Sequence, residues 1–442
     1  MARPRKNSPN PNTQELALVP VEEQPYPLPE GWKWVYLKSG YDVTSSKRIH
    51  KSDWRDSGIP FYRTRELVKL SNNGFVDNEL YIEEQLYDSI KKNFDVPKIN
   101  DILISGVGTI GVPYIVNDNR KFYFKDGNII WLKNKNIFSS KFTFYLFKSP
   151  FIDNQIHEMS AGTTVDTYTI INANKTKLPL PPLDEQERIV TRIESLFAKL
   201  DEAKEKAEAV LDSYETRKAA ILHKAFTGEL TAKWREKRGI EYLSGTVKVK
   251  DVLADIKYGT SEKSDYSYSG LPVIRIPNIA EGKVDLGDLK FLNSSTLSDY
   301  DLVKTDDILM IRSNGSRELV GKCALIDEIS TGKAYASFLI RLRPKPNVSA
   351  KFLLAFLNSS DARSQLFAKA KSSAGINNIN SKEISAVDIW LPAKGEQQEI
   401  TRILDSLLEK EQQSKEAAEA VLEQIDLMKK AILAKAFRGE LG

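Results

Sequence analysis

One cysteine, Cys323, stands in 442 residues. That excludes an internal disulfide framework and points to a reducing, cytoplasmic setting. Histidine is almost as scarce: His50, His157 and His223 are the only three, and none shares metal-ligand spacing with another or with the cysteine. No apolar run approaches the roughly 20 residues of a membrane span. The opening MARPRKNSPNPNTQ has charges without the hydrophobic stretch of a secretory signal; rich in Pro and Asn, it reads as a disordered arm over residues 1–27. There is no G-x-S-x-G elbow, no Walker-A loop, no H-E-x-x-H and no Asn/Asp-Pro-Pro-aromatic motif of base-flipping amino-methyltransferases. The formal net charge of +4 is too small to argue for nucleic acid alone, so local basic clusters must carry that case.

One motif does match a catalytic pattern. Gly106-Val107-Gly108-Thr109-Ile110-Gly111 satisfies G-x-G-x-x-G after the short apolar run Ile102-Leu103-Ile104. A dinucleotide turn needs a helix after its glycines, because the helix N-terminus holds the pyrophosphate. Here Val-Pro-Tyr-Ile-Val and then Asn-Asp-Asn-Arg follow, a strand closed by turn residues. The glycines therefore fit a turn between strands better than a cofactor site.

Internal repetition is the most informative property. AEAVLDSYETRKAAILHKAFTGEL begins at Ala207 and AEAVLEQIDLMKKAILAKAFRGEL at Ala418, a gapless match 211 residues apart. Upstream, Glu185-Gln186 answers Glu396-Gln397 and Thr191-Arg192-Ile193 answers Thr401-Arg402-Ile403; GIPFYRTREL (58–67) aligns with GLPVIRIPNI (270–279). The spacing is too long for a solenoid, so the chain is a tandem duplication of one large unit. Each copy opens with a variable α/β (α+β) region of aromatic and β-branched runs and ends in a long amphipathic stretch. The expected organisation is an arm (1–27), a first globular domain (28–182), a central helix (183–230), a linker (231–246), a second globular domain (247–392) and a distal helix (393–442).

The helical stretches carry a coiled-coil seam. Its expected members are Ile189, Ile193, Leu196, Leu200, Val210, Tyr214 and Ile221 on the central helix. On the distal helix they are Ile400, Leu404, Leu407, Val421, Ile425, Met428 and Ile432. At about 1.5 Å per residue each helix is on the order of 55 Å long. The intervening domain lets the second helix return antiparallel to the first. Arg217, Glu411 and Ser414 interrupt the apolar frame. Two readings are open: Arg217 and Glu411 face one another, or Arg217 snorkels and Glu411 sits at a frayed edge.

The duplication also tests the glycine motif. Asp101-Ile102-Leu103 answers Asp307-Ile308-Leu309, and Gly111 can be set against Gly321. Between them the second copy has Arg312, Asn314, Gly315 and Arg317 on a longer spacer. A cofactor turn kept in both copies would not drift in this way; a variable recognition loop on a fixed scaffold would. Basic residues, amides and hydroxyls recur on the predicted loops. Arg suits guanine edges and Asn adenine edges, while Lys suits phosphates, although such loops also occur on ordinary soluble surfaces. The candidates are Lys47, Arg48, Lys51, Arg63, Arg65 and Gly108 in the first copy. In the second they are Arg275, Asn278, Arg312, Asn314, Arg317 and Asn377.

LPEGWKWVYL (28–37), LPLPPLDEQERIVTRIESLFAKLD (178–201), NGSRELVGK, and the twin KAFTGELTAKWRE and KAFRGEL endings resemble the DNA-specificity subunits of type I restriction–modification systems. The likeness runs from about Leu28 to Gly442; the long N-terminal arm departs from it. The resemblance implies two target-recognition domains separated by two long antiparallel coiled-coil helices. Each domain would read one half of a bipartite double-stranded DNA target, and the helices would set the spacer and dock two modification (methyltransferase) subunits. It implies that this chain is non-catalytic and binds no cofactor itself, S-adenosylmethionine, ATP and Mg belonging to the modification and restriction (translocase/nuclease) subunits. A coiled-coil scaffold with two protein- or RNA-binding domains is the alternative.

Overall fold

In a computed structural model, residues 16–160, 166–280, 282–293, 301–369, 371–373 and 376–441 are described. The chain forms two compact units, one of Met1–Lys206 with Ala420–Gly442 and the other of Ala207–Glu419. Both are built on one plan. In unit 1 an antiparallel sheet runs in the order Tyr41–Thr44, Ile129–Asn134, Ile102–Ser105, Pro113–Ile115. In unit 2 the order is Leu253–Tyr258, Leu339–Pro344, Ile308–Ile311, Cys323–Leu325. The strands Ile102–Ser105 and Ile308–Ile311 are buried at every position, which is why they read as unbroken apolar runs rather than as alternating ones. Each unit adds a smaller sheet with a parallel pair: Ile59–Tyr62 beside Tyr123–Phe124, and Pro272–Ile274 beside Ala334–Tyr335.

Helices Ser140–Phe147 and Ala350–Leu357 cover the main sheets from equivalent places. Their starts are held by the paired glutamines of the repeat. Ser139 donates its N–H to Gln186 Oε1, and Ser349 its own to Gln397 Oε1, both at 2.8 Å. Both glutamines are buried, so each also needs its amide nitrogen satisfied. Gln186 donates to Pro181 O at 3.0 Å and Gln397 to Pro392 O at 2.8 Å.

The central helix spans Leu183–Phe226, 44 residues, and the distal helix Lys394–Ala436, 43 residues. At about 1.5 Å per residue each is roughly 65 Å long, longer than the apolar positions alone indicated. Each starts in one unit and ends in the other. In unit 1, Ile189 and Ile193 share a core with Leu433, Ala436 and Phe437, and Asp201 accepts from Lys429 Nζ at 2.5 Å. In unit 2, Ile400 and Leu404 share a core with Leu222, Ala225 and Phe226, and Tyr214 OH donates to Gln412 at 3.0 Å. Within each unit the two helical segments are therefore antiparallel. Arg217 and Glu411 do face one another: Arg217 Nε donates to Glu411 Oε2 at 2.7 Å.

The expected seam needs correction on the distal helix. Val421 and Met428 are exposed, at 41% and 50%, and Ser414 is exposed as well. The inward positions after Leu407 include Glu411, Lys415, Ala418, Leu422, Ile425, Lys429 and Ile432. Two steps of four, through Glu411 and Lys415, replace the expected four-and-three; such a four-residue insertion locally unwinds a heptad frame. Val421-Leu422 offers two adjacent apolar side chains within the shifted frame, so periodicity alone could not choose there. On the central helix Ile189, Ile193, Leu196, Leu200, Val210, Tyr214 and Ile221 are all at least partly buried.

The N-terminal arm also needs correction from Leu16 onward; residues 1–15 lie outside the described ones. Tyr36 donates its N–H to Ala17 O at 2.9 Å and Val19 its own to Trp34 O at 3.0 Å, so the segment extends the sheet edge at Lys33–Tyr36. Val19 is buried there, apolar burial that the Pro/Asn composition upstream masked. The stretch read as a linker opens with the short helix Ala232–Glu236. Its Arg235 is buried, donating to Glu396 Oε1 at 2.5 Å and to Gly228 O at 2.7 Å.

The corrected seam is testable by unfolding the full chain in urea. Ile425→Ala should cost about 2–4 kcal/mol of stability, and Met428→Ala no more than about 0.5 kcal/mol. The reverse order would restore the simple heptad frame.

Candidate nucleic-acid interface

The glycine turn joins two antiparallel strands, Ile102–Ser105 and Pro113–Ile115. Two of its three glycines have their backbone donors committed: Gly106 N–H to Asn128 O and Gly111 N–H to Ser105 O, both at 2.8 Å. A pyrophosphate cradle needs such N–H groups free and a helix behind them, so the residues present do not fit a dinucleotide. The second copy repeats the geometry. Arg312 N–H donates to Phe338 O at 3.0 Å and Gly321 N–H to Ile311 O at 2.8 Å. The acceptor side matches as well: Tyr168 N–H reaches Gly106 O, and Ile379 N–H reaches Arg312 O, each at 2.8 Å. Gly111 and Gly321 both hold φ near +80°, at +79° and +84°, which keeps the residue type fixed there. Arg312 thus occupies the place of Gly106: one backbone frame, two different surfaces.

In unit 1, Gly108 lies exposed at φ +81° with no atom within 4 Å of where a Cβ would sit, so its backbone is open to close approach. Lys47 is exposed, its Nζ 4.7 Å from the Phe94 ring centre. Lys51 is exposed at the start of the 3-10 turn Lys51–Asp53. Arg48 pairs with Asp126 at 2.9 Å. Arg63 and Arg65 are drawn to carboxylates: Arg63 reaches Glu66 at 2.8 Å and Glu79 at 3.4 Å, and Arg65 reaches Glu66 at 2.5 Å and also Glu79. Glu66 is buried and accepts the Arg63 N–H at 2.9 Å, holding the start of the helix Thr64–Asn73. These two arginines are therefore tied into a local charge network, whereas Lys47 and Lys51 present unpaired ammonium groups.

In unit 2, Arg312 lies with its guanidinium 4.8 Å from the Tyr258 ring centre and donates to Ser337 O and Asn378 Oδ1, each at 3.2 Å; its Nε is buried without a partner. Asn314 accepts from Ser316 N–H at 2.8 Å, an Asx turn at the loop tip. Arg317 is exposed and stacks on Phe367 at 4.9 Å. Arg275 pairs with Asp288 at 3.0 Å. Asn377 sits on the strand Ile376–Asn378, opposite Asn314 and Ser372; its side chain lies outside the described residues. Asn278 is corrected. It is 1% exposed, accepts from Arg275 N–H at 2.8 Å and donates to the carbonyls of Asp285 and Asp288. Every polar atom of its amide serves the loop, because an unsatisfied buried amide would be costly. Tyr258 and Phe367, whose rings lie against Arg312 and Arg317, were not singled out because only the fold brings each ring to its arginine. Among the described residues no group of three or more His, Cys, Asp or Glu could hold a metal ion, and no helix is long and apolar enough to cross a membrane.

Comparison with known proteins matches the duplicated plan. The family model described as type I restriction modification DNA specificity domain fits twice, over residues 29–211 and 244–424. The chain belongs to that family. It is a type I restriction–modification specificity subunit with two target-recognition domains. The Type I restriction enzyme EcoKI specificity subunit of Escherichia coli (strain K12) is 30% identical over 313 residues, covering 70% of this chain and 67% of the relative. The EcoBI specificity subunit of Escherichia coli is 22% identical over 438 residues, 93% of this chain and 86% of the relative. The crystal structure of the HsdS subunit from Thermoanaerobacter tengcongensis shares the fold, with a TM-score of 0.66 at 20% identity over 95% of this chain and 100% of that one. In this specificity subunit each family match begins ahead of a globular domain and runs into the long helix that follows it.

The Glu66 network has a pH signature. Burial pushes its carboxyl up, but the hydrogen bonds from Arg63 and Arg65 outweigh it and leave the pKa below the usual glutamate range. A depressed carboxylate adds stability above its unfolded pKa of about 4.3 and loses it as pH falls through the folded value. Glu66→Gln should therefore be less stable than the parent by about 1–3 kcal/mol at pH 7. The gap should close in thermal melts taken below about pH 4; a constant gap would assign the loss to shape rather than charge.

Proposed function

We propose that each unit reads one half of a bipartite duplex and that the two helices set the spacing between the halves. The observation that carries this reading is the loop pair: the same backbone hydrogen bonds enclose Gly106 in one unit and Arg312 in the other. A scaffold kept constant while its exposed side chains are exchanged is what two different sequence readers need. Arg312, Asn314, Arg317 and Asn377 are assigned to one half-site. Lys47, Lys51 and the exposed backbone at Gly108 are assigned to the other, with Arg48, Arg63 and Arg65 available only if DNA displaces their carboxylate partners.

In this reading the chain takes no chemical step itself. Methyl transfer with S-adenosylmethionine belongs to modification subunits, and ATP- and Mg-dependent restriction to a further subunit. A docking face for a modification-subunit helix is supported by one flank of the distal helix in unit 1, where Val421 and Met428, seven residues apart beside the seam, are 41% and 50% exposed. Two exposed apolar side chains two turns apart on one flank suit contact with another helix.

Sequencing methylated adenines in a host that carries the complete system tests both parts. The expected result is a two-part motif with an unspecified gap, and loss of that methylation in Met428→Glu without loss of folded protein. A single uninterrupted motif would refute the two-reader assignment, and full methylation in Met428→Glu would refute the docking face.

A further inference from the structure

A cleft of about 700 Å³ in unit 2 is left unexplained by base reading. Three cations from three elements line it: Lys218 from the central helix, Arg317 from the loop ahead of Cys323–Leu325, and Arg363 from the helix Ser360–Lys369. Both guanidinium groups lie against Phe367, that of Arg317 4.9 Å and that of Arg363 5.4 Å from its ring centre. The stacking fixes both groups without neutralising either. Arg363 donates only to a backbone carbonyl, Glu318 O, at 3.1 Å, and burial holds its guanidinium below the usual arginine range. Ser360 and Ser364 add exposed hydroxyls on the same lining. Glu215 is the one carboxylate lining the cleft; nearby Asp361 is taken by His223 at 3.0 Å.

The duplicated plan supplies a control. The equivalent corner of unit 1 mixes its charges: Lys148 stands at the place of the lining Asn358 and near Lys429, but carboxylates stand there too. Asp153 and His157 stand where unit 2 has Arg363 and Phe367, with His157 Nδ1 3.5 Å from an Asp153 oxygen. The counterpart of Lys218 is Lys429, bound to Asp201 at 2.5 Å. Among the other candidate arginines, Arg48, Arg63, Arg65 and Arg275 all hold carboxylates. The unit 2 cleft departs from that pattern: Lys218, Arg317 and Arg363 lie against aromatic rings, and Arg363 donates to a backbone carbonyl.

We propose that Lys218, Arg317 and Arg363 form a clamp for a DNA backbone phosphodiester, present in unit 2 and not in unit 1. The proposal rests on the two-reader assignment. It takes its occupant from the loop itself: Arg317 lies five residues after Arg312, so a duplex read by Arg312 and Asn314 passes its backbone over the cleft. Charge and hydroxyl donors without base-edge geometry suit phosphate contacts, which position a duplex without reading it.

The test is fluorescence anisotropy of the full chain assembled with its modification subunits, on a random-sequence duplex and on the mapped target, across a salt series. Arg363→Gln and Lys218→Gln should each weaken both duplexes about 3–10-fold at low salt. Each should also reduce the slope of log affinity against log salt by about 1, with the methylated motif unchanged. A neutral methylphosphonate at one position beside the unit 2 half-site should cost the parent a similar factor and Arg363→Gln nothing more. Unchanged slopes in folded variants would overturn the clamp, as would weakening confined to the target duplex. Loss of modification-subunit assembly with intrinsic DNA affinity retained would assign the cleft to an acidic protein surface instead. Failure of the parent assembly to bind any duplex would overturn the two-reader assignment itself.

Discussion

Two phenylalanines, Phe226 and Phe437, carry the constraint on which the rest of the molecule depends. Each ends or directly follows a long helix, and each buries its ring in the globular core of the other repeat. Phe226 packs 5.5 Å from Phe352 and 5.3 Å from Phe356; Phe437 packs 5.2 Å from Phe142, the counterpart of Phe352. The shared K-A-F-x-G-E-L ending follows from this job. Gly228 and Gly439 close the helices in the left-handed conformation, at φ +78° and +75°, the usual glycine stop. The leucine after each then returns to the core, Leu441 buried in unit 1 and Leu230 partly buried in unit 2. The first globular region does not complete its core from contiguous sequence, so the first unit includes the end of the chain. A bound aromatic side chain of this size contributes on the order of 3–5 kcal/mol against truncation to Ala.

That reciprocal arrangement explains which parts tolerate variation. The positions shared by both copies include those that fasten helix to sheet: the glutamines at the helix starts, the phenylalanines at the ends, and buried Asp101 and Asp307. Asp101 accepts from Trp131 Nε1 at 2.8 Å, while Asp307 holds Arg343 at 2.6 Å. The same carboxylate position satisfies different donors in the two units. Loops whose backbone hydrogen bonds are fixed at both ends can then change their side chains without cost to the fold, which is how one architecture comes to carry two surfaces.

Much of this was legible in the sequence. The duplication, the long helices, the strand–loop–strand reading of the glycines and the loop difference at Arg312 all follow from residues aligned 211 or so apart. What escaped has physical reasons. Val421 entered the seam because Leu422 lies beside it, and Met428 because the inward residue next to it is Lys429, which an apolar count passes over. Asn278 looked like a reader because an amide after an arginine is ambiguous until its partners are known. Arg363 and Lys218 went unnoticed because they are about 145 residues apart and only the fold brings them to one cleft. Charge pairing was equally invisible: nothing in Arg63-Thr64-Arg65 foretells that Glu66 and Glu79 occupy both guanidinium groups.

The central claim is that two units of one fold read different halves of one DNA target. Mapping methylated adenines genome-wide in hosts carrying the complete system with either Arg312→Ala or Lys47→Ala addresses it most directly. Arg312→Ala is expected to relax one half of the motif by about 1–3 kcal/mol of discrimination while leaving the other half intact. Any change from Lys47→Ala, which sits in the other unit, falls on the opposite half. Relaxation of the same half by both variants would contradict that claim.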